Sequence, residues 1–110
     1  MSDCIFCKIA SQEIQTAFIA QNEHAVVFAD RAPQAPIHYL IVPRIHVDSI
    51  NHLDHSHRDI TWAMLQLAQQ VAREKGGDDS FRLIANNGAP AGQVVFHMHW
   101  HFMAGTDLSE

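Results

Sequence analysis

The stretch Phe96-His97-Met98-His99-Trp100-His101-Phe102 alternates imidazole with large apolar side chains. A strand sends successive side chains to opposite faces, whereas a helix would scatter these residues around its whole cylinder. The run therefore predicts a strand with Phe96, Met98, Trp100 and Phe102 in a core and His97, His99 and His101 on the reverse face. Along a strand the outer imidazoles would stand roughly 13 Å apart, so one ion cannot readily bind all three. Three readings of the row stand. It is a metal site using a His-x-His pair with a third ligand from elsewhere, a surface that handles a phosphate or a proton, or the polar face of a half-exposed strand.

Working outward from this run, residues 94–103 are expected to form the final strand, preceded by a turn-rich loop over 86–92 and another strand over 81–85. Ile60, Met64, Leu67 and Val71 recur at helical spacing, with Leu65, Ala68 and Ala72 widening the stripe, which predicts a long helix. Ser56 and Asp59 have the spacing of a capping box at its start, and Gly76-Gly77 ends it. His38-Tyr39-Leu40-Ile41-Val42 reads as a buried strand stopped by Pro43, and Phe18-Ile19-Ala20 with Val26-Val27-Phe28 as a hairpin. Residues 30–36 carry Pro33 and Pro36, which remove ladder donors and fix φ, so a loop is expected there. The fold class is α+β, an antiparallel sheet with helices on one face that leave the imidazoles facing a cleft.

The chain has 110 residues, enough for one domain with a real core, and its 47% hydrophobic content suits a globular protein. No apolar run approaches the roughly 20 residues of a membrane span, and no basic region followed by an apolar stretch opens the sequence. A cytoplasmic protein with reduced thiols is expected, without a membrane partner. A net charge of -5 with seven Lys and Arg argues against a nucleic-acid partner, because backbone binding requires several phosphates to be neutralised. One phosphate of a small nucleotide can still be served locally by imidazole and backbone N–H groups.

With His97-Met98-His99-Trp100-His101-Phe102-Met103 stand Gly92-Gln93, Asn86-Asn87-Gly88, Asp30, Pro33-Gln34-Ala35-Pro36, His38 and Leu40-Ile41-Val42-Pro43-Arg44-Ile45-His46. The chain thereby resembles the histidine triad family of nucleotide hydrolases and transferases, in its purine nucleotide phosphoramidase branch. The resemblance implies a HIT-like domain over residues 1–104 with a short tail at 105–110, and a five-stranded antiparallel sheet with one long and one short helix. It implies that His99 attacks the α-phosphorus of a purine nucleotide and forms a covalent nucleotidyl-imidazole that water hydrolyses. His38 would orient that nucleophile, His101 would hydrogen-bond phosphate oxygens, and Gln93 with backbone N–H groups near Gly92 would stabilise developing charge.

For the nucleoside, the resemblance assigns Asp30 to the ribose hydroxyls, Phe6, Ile9 and Phe28 to the base, and Asn86 to the ribose and phosphate. The plain alternatives are core packing for the three apolar residues and turn formation for Asn86. Val94 departs from the pattern: close relatives carry a serine there, whose hydroxyl helps the leaving amine, and a valine cannot donate. The resemblance also suggests a homodimer joined through helices and sheet edges.

Cys4-Ile5-Phe6-Cys7 has C-x-x-C spacing, but a closed zinc site needs four ligands and no second cysteine pair exists. Some bacterial relatives complete such a site with histidines, which here are His46 and His97, implying a structural Zn2+ on Cys4, Cys7, His46 and His97. Two thiols in a short helix are the alternative. His24, His52, His55 and His57 are read as solvated surface residues, and Arg44 as a possible phosphate contact without a catalytic role. The enzymatic rival is dinucleoside polyphosphate hydrolysis; the others are a nucleotide-binding or scaffold module and a histidine-liganded metallohydrolase.

Overall fold

Asn22 closes the first hairpin: its side-chain oxygen accepts from the backbone N–H of His24 and Ala25 at 3.0 Å each, while its amide donates to the carbonyl of Ala63 at 3.0 Å. This turn joins β1 (Ala20–Gln21) to β2 (Ala25–Ala29) in the computed structural model, which describes residues 3–76 and 80–109. The other regular elements are α1 (Ile5–Ala10), β3 (Ile37–Pro43), α2 (Arg58–Lys75), β4 (Arg82–Ile84) and β5 (Trp100–Ala104). The strands form one antiparallel sheet in the order β1-β2-β3-β5-β4, so the α+β class, the five strands and the long and short helices are as anticipated. Residues 30–36 contribute no strand, as their prolines require.

The sheet separates two apolar layers. On one face Ala25, Val27, Ile41, Met98, Trp100 and Phe102 pack with Met64, Leu67, Ala68, Val71 and Ala72 of α2. On the other, Val26, Phe28, Leu40 and Val42 pack with Phe6, Ile9 and Ala10 of α1. Alternation along β2 and β3 thus feeds both layers at once, and each fully buried large side chain contributes roughly 1.5–3 kcal/mol. Trp100 is buried with its indole Nε1 lacking a hydrogen-bond partner among the described residues. Gly76, at φ +106°, follows the last helical residue in a conformation that favours glycine; Gly77 lies outside the described residues.

Four expectations are corrected. The final strand begins at Trp100, not Val94: continuing the Ile41↔Trp100 register would bring Met98 opposite Pro43, which has no N–H, and Met98 N–H instead donates to the carbonyl of Val47 at 2.6 Å. Phe96 consequently lies outside the core at 49% exposure, although Met98, Trp100 and Phe102 are buried as expected. The helices occupy opposite faces, because α1 covers the face that carries the imidazoles. Lastly, the capping box starts at Asp54: its side chain accepts from Ser56 N–H and its own N–H donates to His57 Nδ1, so Ser56 is capped rather than capping. Within the helical stripe Leu65 is exposed, while the remainder turns inward.

Phe102 stacks on Phe81 with ring centroids 4.7 Å apart and is fully buried. Urea denaturation of Phe102→Ala is expected to show a loss of about 3–5 kcal/mol. Phe96→Ala should cost at most about 1 kcal/mol, in the range of surface substitutions; a core-sized loss there would contradict the strand boundary.

Candidate active site and metal centre

His97, His99 and His101 lie on one side of the sheet, but each ring is held differently. His99 Nδ1 is 2.8 Å from the carbonyl of its own neighbour His97. A carbonyl only accepts, so Nδ1 carries the hydrogen and, in neutral His99, Nε2 carries the lone pair. His99 is 7% exposed, and its ring meets that of Phe6 edge-on with centroids 5.0 Å apart. His99 is thus a buried imidazole in the tautomer a nucleophile requires.

His38 and His101 form a pair. Leu40 stands opposite His101 in the ladder, which places His38 diagonally across on the same face, and the two rings meet with His38 Nε2 2.9 Å from His101 Nδ1. The backbone N–H of Gln34 donates to His38 Nδ1 at 3.0 Å, so in the neutral ring the hydrogen sits on Nε2 and is donated to His101. Neutral His101 must then carry its own hydrogen on Nε2. Burial, followed by the neighbouring His99 and His38, pushes the His101 pKa below the ordinary imidazole value of 6.5, with Asp30 opposing. Asp30 Oδ2 lies 3.4 Å from His38 Nε2 and 3.8 Å from His101 Nδ1, while Oδ1 accepts from Ala32 N–H. His38 thus meets His101 directly, while the group that His99 Nδ1 meets is the His97 carbonyl.

The cysteines gather the remaining imidazoles. Cys4 is the N-cap of α1, its sulfur accepting from Cys7 N–H, and this turn brings both sulfurs to His97. Cys4 Sγ and Cys7 Sγ lie 3.3 and 3.5 Å from His97 Nδ1, and Cys7 Sγ lies 3.5 Å from His46 Nδ1. Tetrahedral zinc with bonds of about 2.3 Å to sulfur and 2.0–2.1 Å to nitrogen separates S and N by about 3.6 Å. Both histidines donate from Nε2, His97 to the carbonyl of Pro43 at 2.9 Å and His46 to Asp48 Oδ1 at 2.7 Å. Their Nδ1 lone pairs therefore face the sulfurs, as ligating imidazoles oriented by outer partners do. Burial holds the His97 pKa below the ordinary range, which favours the neutral ligand form.

Asp30, His38 and His101 also cluster within 4.8 Å, but the same test separates the two groups. Gln34 donates to the outer nitrogen of His38, which points an N–H rather than a lone pair into that cluster. The Cys4, Cys7, His46 and His97 set fits a metal; the Asp30, His38 and His101 set fits a hydrogen-bond chain ending at a donor on His101.

Gln93 is buried and fully engaged: its amide donates to the carbonyls of Asp48 and Val95, at 2.7 and 3.0 Å, and its oxygen accepts from Gly88 N–H at 2.8 Å. Gly92 N–H and Gln93 N–H donate to Ala89 and Gly88 carbonyls, so these groups shape the loop rather than point toward a ligand. Gly92, at φ +98°, sits with the Asn86 amide 3.9 Å from where a Cβ would be. Phe6, Ile9 and Phe28 are buried in the α1 layer, and Val94 is 84% exposed. Arg44 donates from Nε and Nη2 to the Asn22 carbonyl and from Nη2 to Gln21 Oε1. Sequence reasoning missed Asp48, although its position two residues after His46 is a spacing that allows it to orient that ring; the backbone roles of Gln34, Pro43 and His97 left no residue-type signal.

A family model described as "Scavenger mRNA decapping enzyme C-term binding" matches residues 3–109. Protein HitA of Neisseria gonorrhoeae is 38% identical over 94% of this chain and 96% of its own length. Purine nucleoside phosphoramidase of Escherichia coli strain K12 is 35% identical over 96% of this chain and 90% of its own. The structure of a histidine triad protein from Clostridium difficile superposes with a TM-score of 0.93 at 39% identity, covering 100% of this chain and 96% of that one. The motif, the ring geometry on the sheet and these likenesses agree: the chain belongs to the histidine triad family of nucleotide hydrolases and transferases.

Proposed function

We propose that the protein hydrolyses purine nucleoside 5'-phosphoramidates, or closely related nucleotides, at the α-phosphorus through a covalent intermediate on His99. The observation that carries this reading is the His99 Nδ1 bond to the His97 carbonyl, which leaves Nε2 as the attacking atom. Nε2 forms a bond to phosphorus as the bond to the departing nitrogen breaks, and that nitrogen leaves as an amine on taking up a proton from solvent, which the attacking water replaces in the second step. Water then cleaves the Nε2–phosphorus bond, releasing the nucleoside monophosphate and restoring neutral His99. His101 donates its Nε2 hydrogen to a phosphoryl oxygen, with His38 behind it, and Asp30 Oδ2 is the acceptor for a ribose hydroxyl. Phe6, with Ile9 and Phe28, forms the apolar wall for the base, and Asn86 lies beside the glycine turn at the phosphate end. Gln93 and Gly92 act by shaping that loop, and Val94 offers the leaving group an apolar contact instead of a hydroxyl.

Cys4, Cys7, His46 and His97 are assigned to a structural Zn2+ that ties α1 to the sheet; the chemical step does not run through it. Exposed Trp62 and Leu65 on α2, with Phe81 and Leu83 beside the sheet edge, support a homodimer. We further propose a cytoplasmic setting, in keeping with the reduced thiols that the zinc assignment requires. Among the described residues no helix is long and apolar enough to cross a membrane.

Mixing the protein with adenosine 5'-phosphoramidate, quenching in denaturant and weighing the peptides should reveal an adenylyl mass on the His99 peptide. His99→Ala should lose turnover by at least about a thousandfold with its fold intact. A near-normal rate in that variant would sink the mechanism, and tight nucleotide binding without adduct or turnover would favour a binding module. Faster cleavage of dinucleoside polyphosphates in the same assay would favour the rival substrate. Metal analysis of protein purified without added metal should give about one zinc per chain.

The lowered His101 pKa also fixes a stability trend. The unfolded chain binds this proton more readily, so the contribution is fully present above pH 6.5 and is lost as the pH falls through the lower folded value. Urea midpoints measured from pH 7.5 down to 5 should fall less steeply for His101→Gln than for the unaltered protein; equal slopes would exclude the contribution.

A further inference from the structure

His97 belongs to both sites at once. Its side chain faces Cys4, Cys7 and His46, and its carbonyl receives the hydrogen bond that aims His99. The segment that holds both histidines lies outside the sheet ladder, which ends at Trp100. Its neighbouring backbone tie is Met98 N–H to the Val47 carbonyl, and Val47 sits between the candidate ligand His46 and its partner Asp48. Asp48 in turn accepts from Gln93 through its own carbonyl. Phe6, between the cysteines in sequence, meets the rings of His97 and His99 edge-on, with centroids 6.0 and 5.0 Å apart. Each of these contacts starts at a member of the thiol–imidazole cluster or within two residues of one; from the strand itself, among the described residues, only the His101 ring meets His99, with centroids 5.2 Å apart.

We infer that Cys4, Cys7 and His46 are positioning residues for the nucleophile, acting through His97, so that metal occupancy of their cluster sets how well His99 Nε2 is aimed. This rests on the phosphoramidase reading for its kinetic arm and on the zinc assignment for its ligand. A strand ladder would hold a catalytic side chain by itself; here that restraint stops one residue short of His99, and the cluster supplies it. Misplacing a reacting atom by about 1 Å costs roughly a hundredfold in rate, and disturbing a group that orients a ligand costs roughly ten- to a hundredfold.

The test combines metal withdrawal with a readout on the ring itself. In nucleotide-free protein carrying 15N-histidine, the zinc form should show His99 as a single tautomer, hydrogen on Nδ1 and lone pair on Nε2. Chelation should broaden it into a mixture, and returning zinc should restore it. In parallel, the rate of adduct formation should fall at least tenfold while the Kd for adenosine monophosphate changes less than about threefold. Cys7→Ser should reproduce the loss without rescue by zinc.

Where Cys7→Ser or the stripped protein fails to fold, replacing zinc by the larger cadmium keeps the cluster filled but lengthens its bonds. Both the His99 nitrogen shifts and the adduct rate should then change at constant Tm. Identical shifts and rates in the zinc, cadmium and stripped forms would overturn the inference. Protein that holds metal and shows these shifts but turns over no nucleotide would refute the phosphoramidase reading while leaving the positioning role intact. Protein that takes up no zinc would refute the zinc assignment and the inference with it.

Discussion

The bond from His99 Nδ1 to the His97 carbonyl is the constraint around which the molecule is arranged. It decides which nitrogen of a symmetric-looking ring is basic, and it does so with a group that cannot change protonation state. A carboxylate in that place would have stabilised imidazolium as well as neutral imidazole, whereas a carbonyl offers orientation with less bias toward charge. Keeping the carbonyl still then becomes a structural problem. It is met from the α1 side by Phe6 and the cysteines, and from below by Met98, buried against α2.

The two apolar layers have correspondingly different tasks. The α2 layer is larger and supplies most of the hydrophobic burial, so substitutions there act on the fold as a whole. The α1 layer is thinner and mixes aliphatic side chains with imidazoles, which makes it the layer where chemistry and packing compete for the same atoms. Gln93 shows the competition resolved toward structure, with an amide taken up by three backbone groups. His101 shows a looser resolution: its Nδ1 is committed to His38 within the fold, and no hydrogen bond engages its Nε2 among the described residues.

Much of this is legible in the sequence. The alternation of apolar and imidazole residues foretells the face assignment of Met98, Trp100 and Phe102, and the helical stripe foretells the buried side of α2, because both periods report burial directly. Cys4, Cys7, His46 and His97 come together as family resemblance implies. What the residues could not reveal depends on backbone groups and on register. Pro43 cuts the ladder only because it falls opposite Met98, a pairing known after the strands are aligned. Gln34 decides the tautomer of His38 through its N–H, to which its side-chain identity is irrelevant. The location of α1 on the imidazole face likewise has no local signature, since a six-residue helix presents too little surface for its pattern to name a partner.

Trp100 carries a final consequence. Its indole is buried beside His99 in sequence, points into the α2 layer and has no hydrogen-bond partner for its N–H among the described residues, whereas Trp62 is 54% exposed. An indole excited in a dry apolar layer emits further to the blue than one relaxed by water. The two tryptophans of the chain therefore give separable optical signals. With Trp62 replaced by phenylalanine, the remaining emission would come from a single residue adjoining His99, making the protein's own fluorescence a gauge of packing next to that ring.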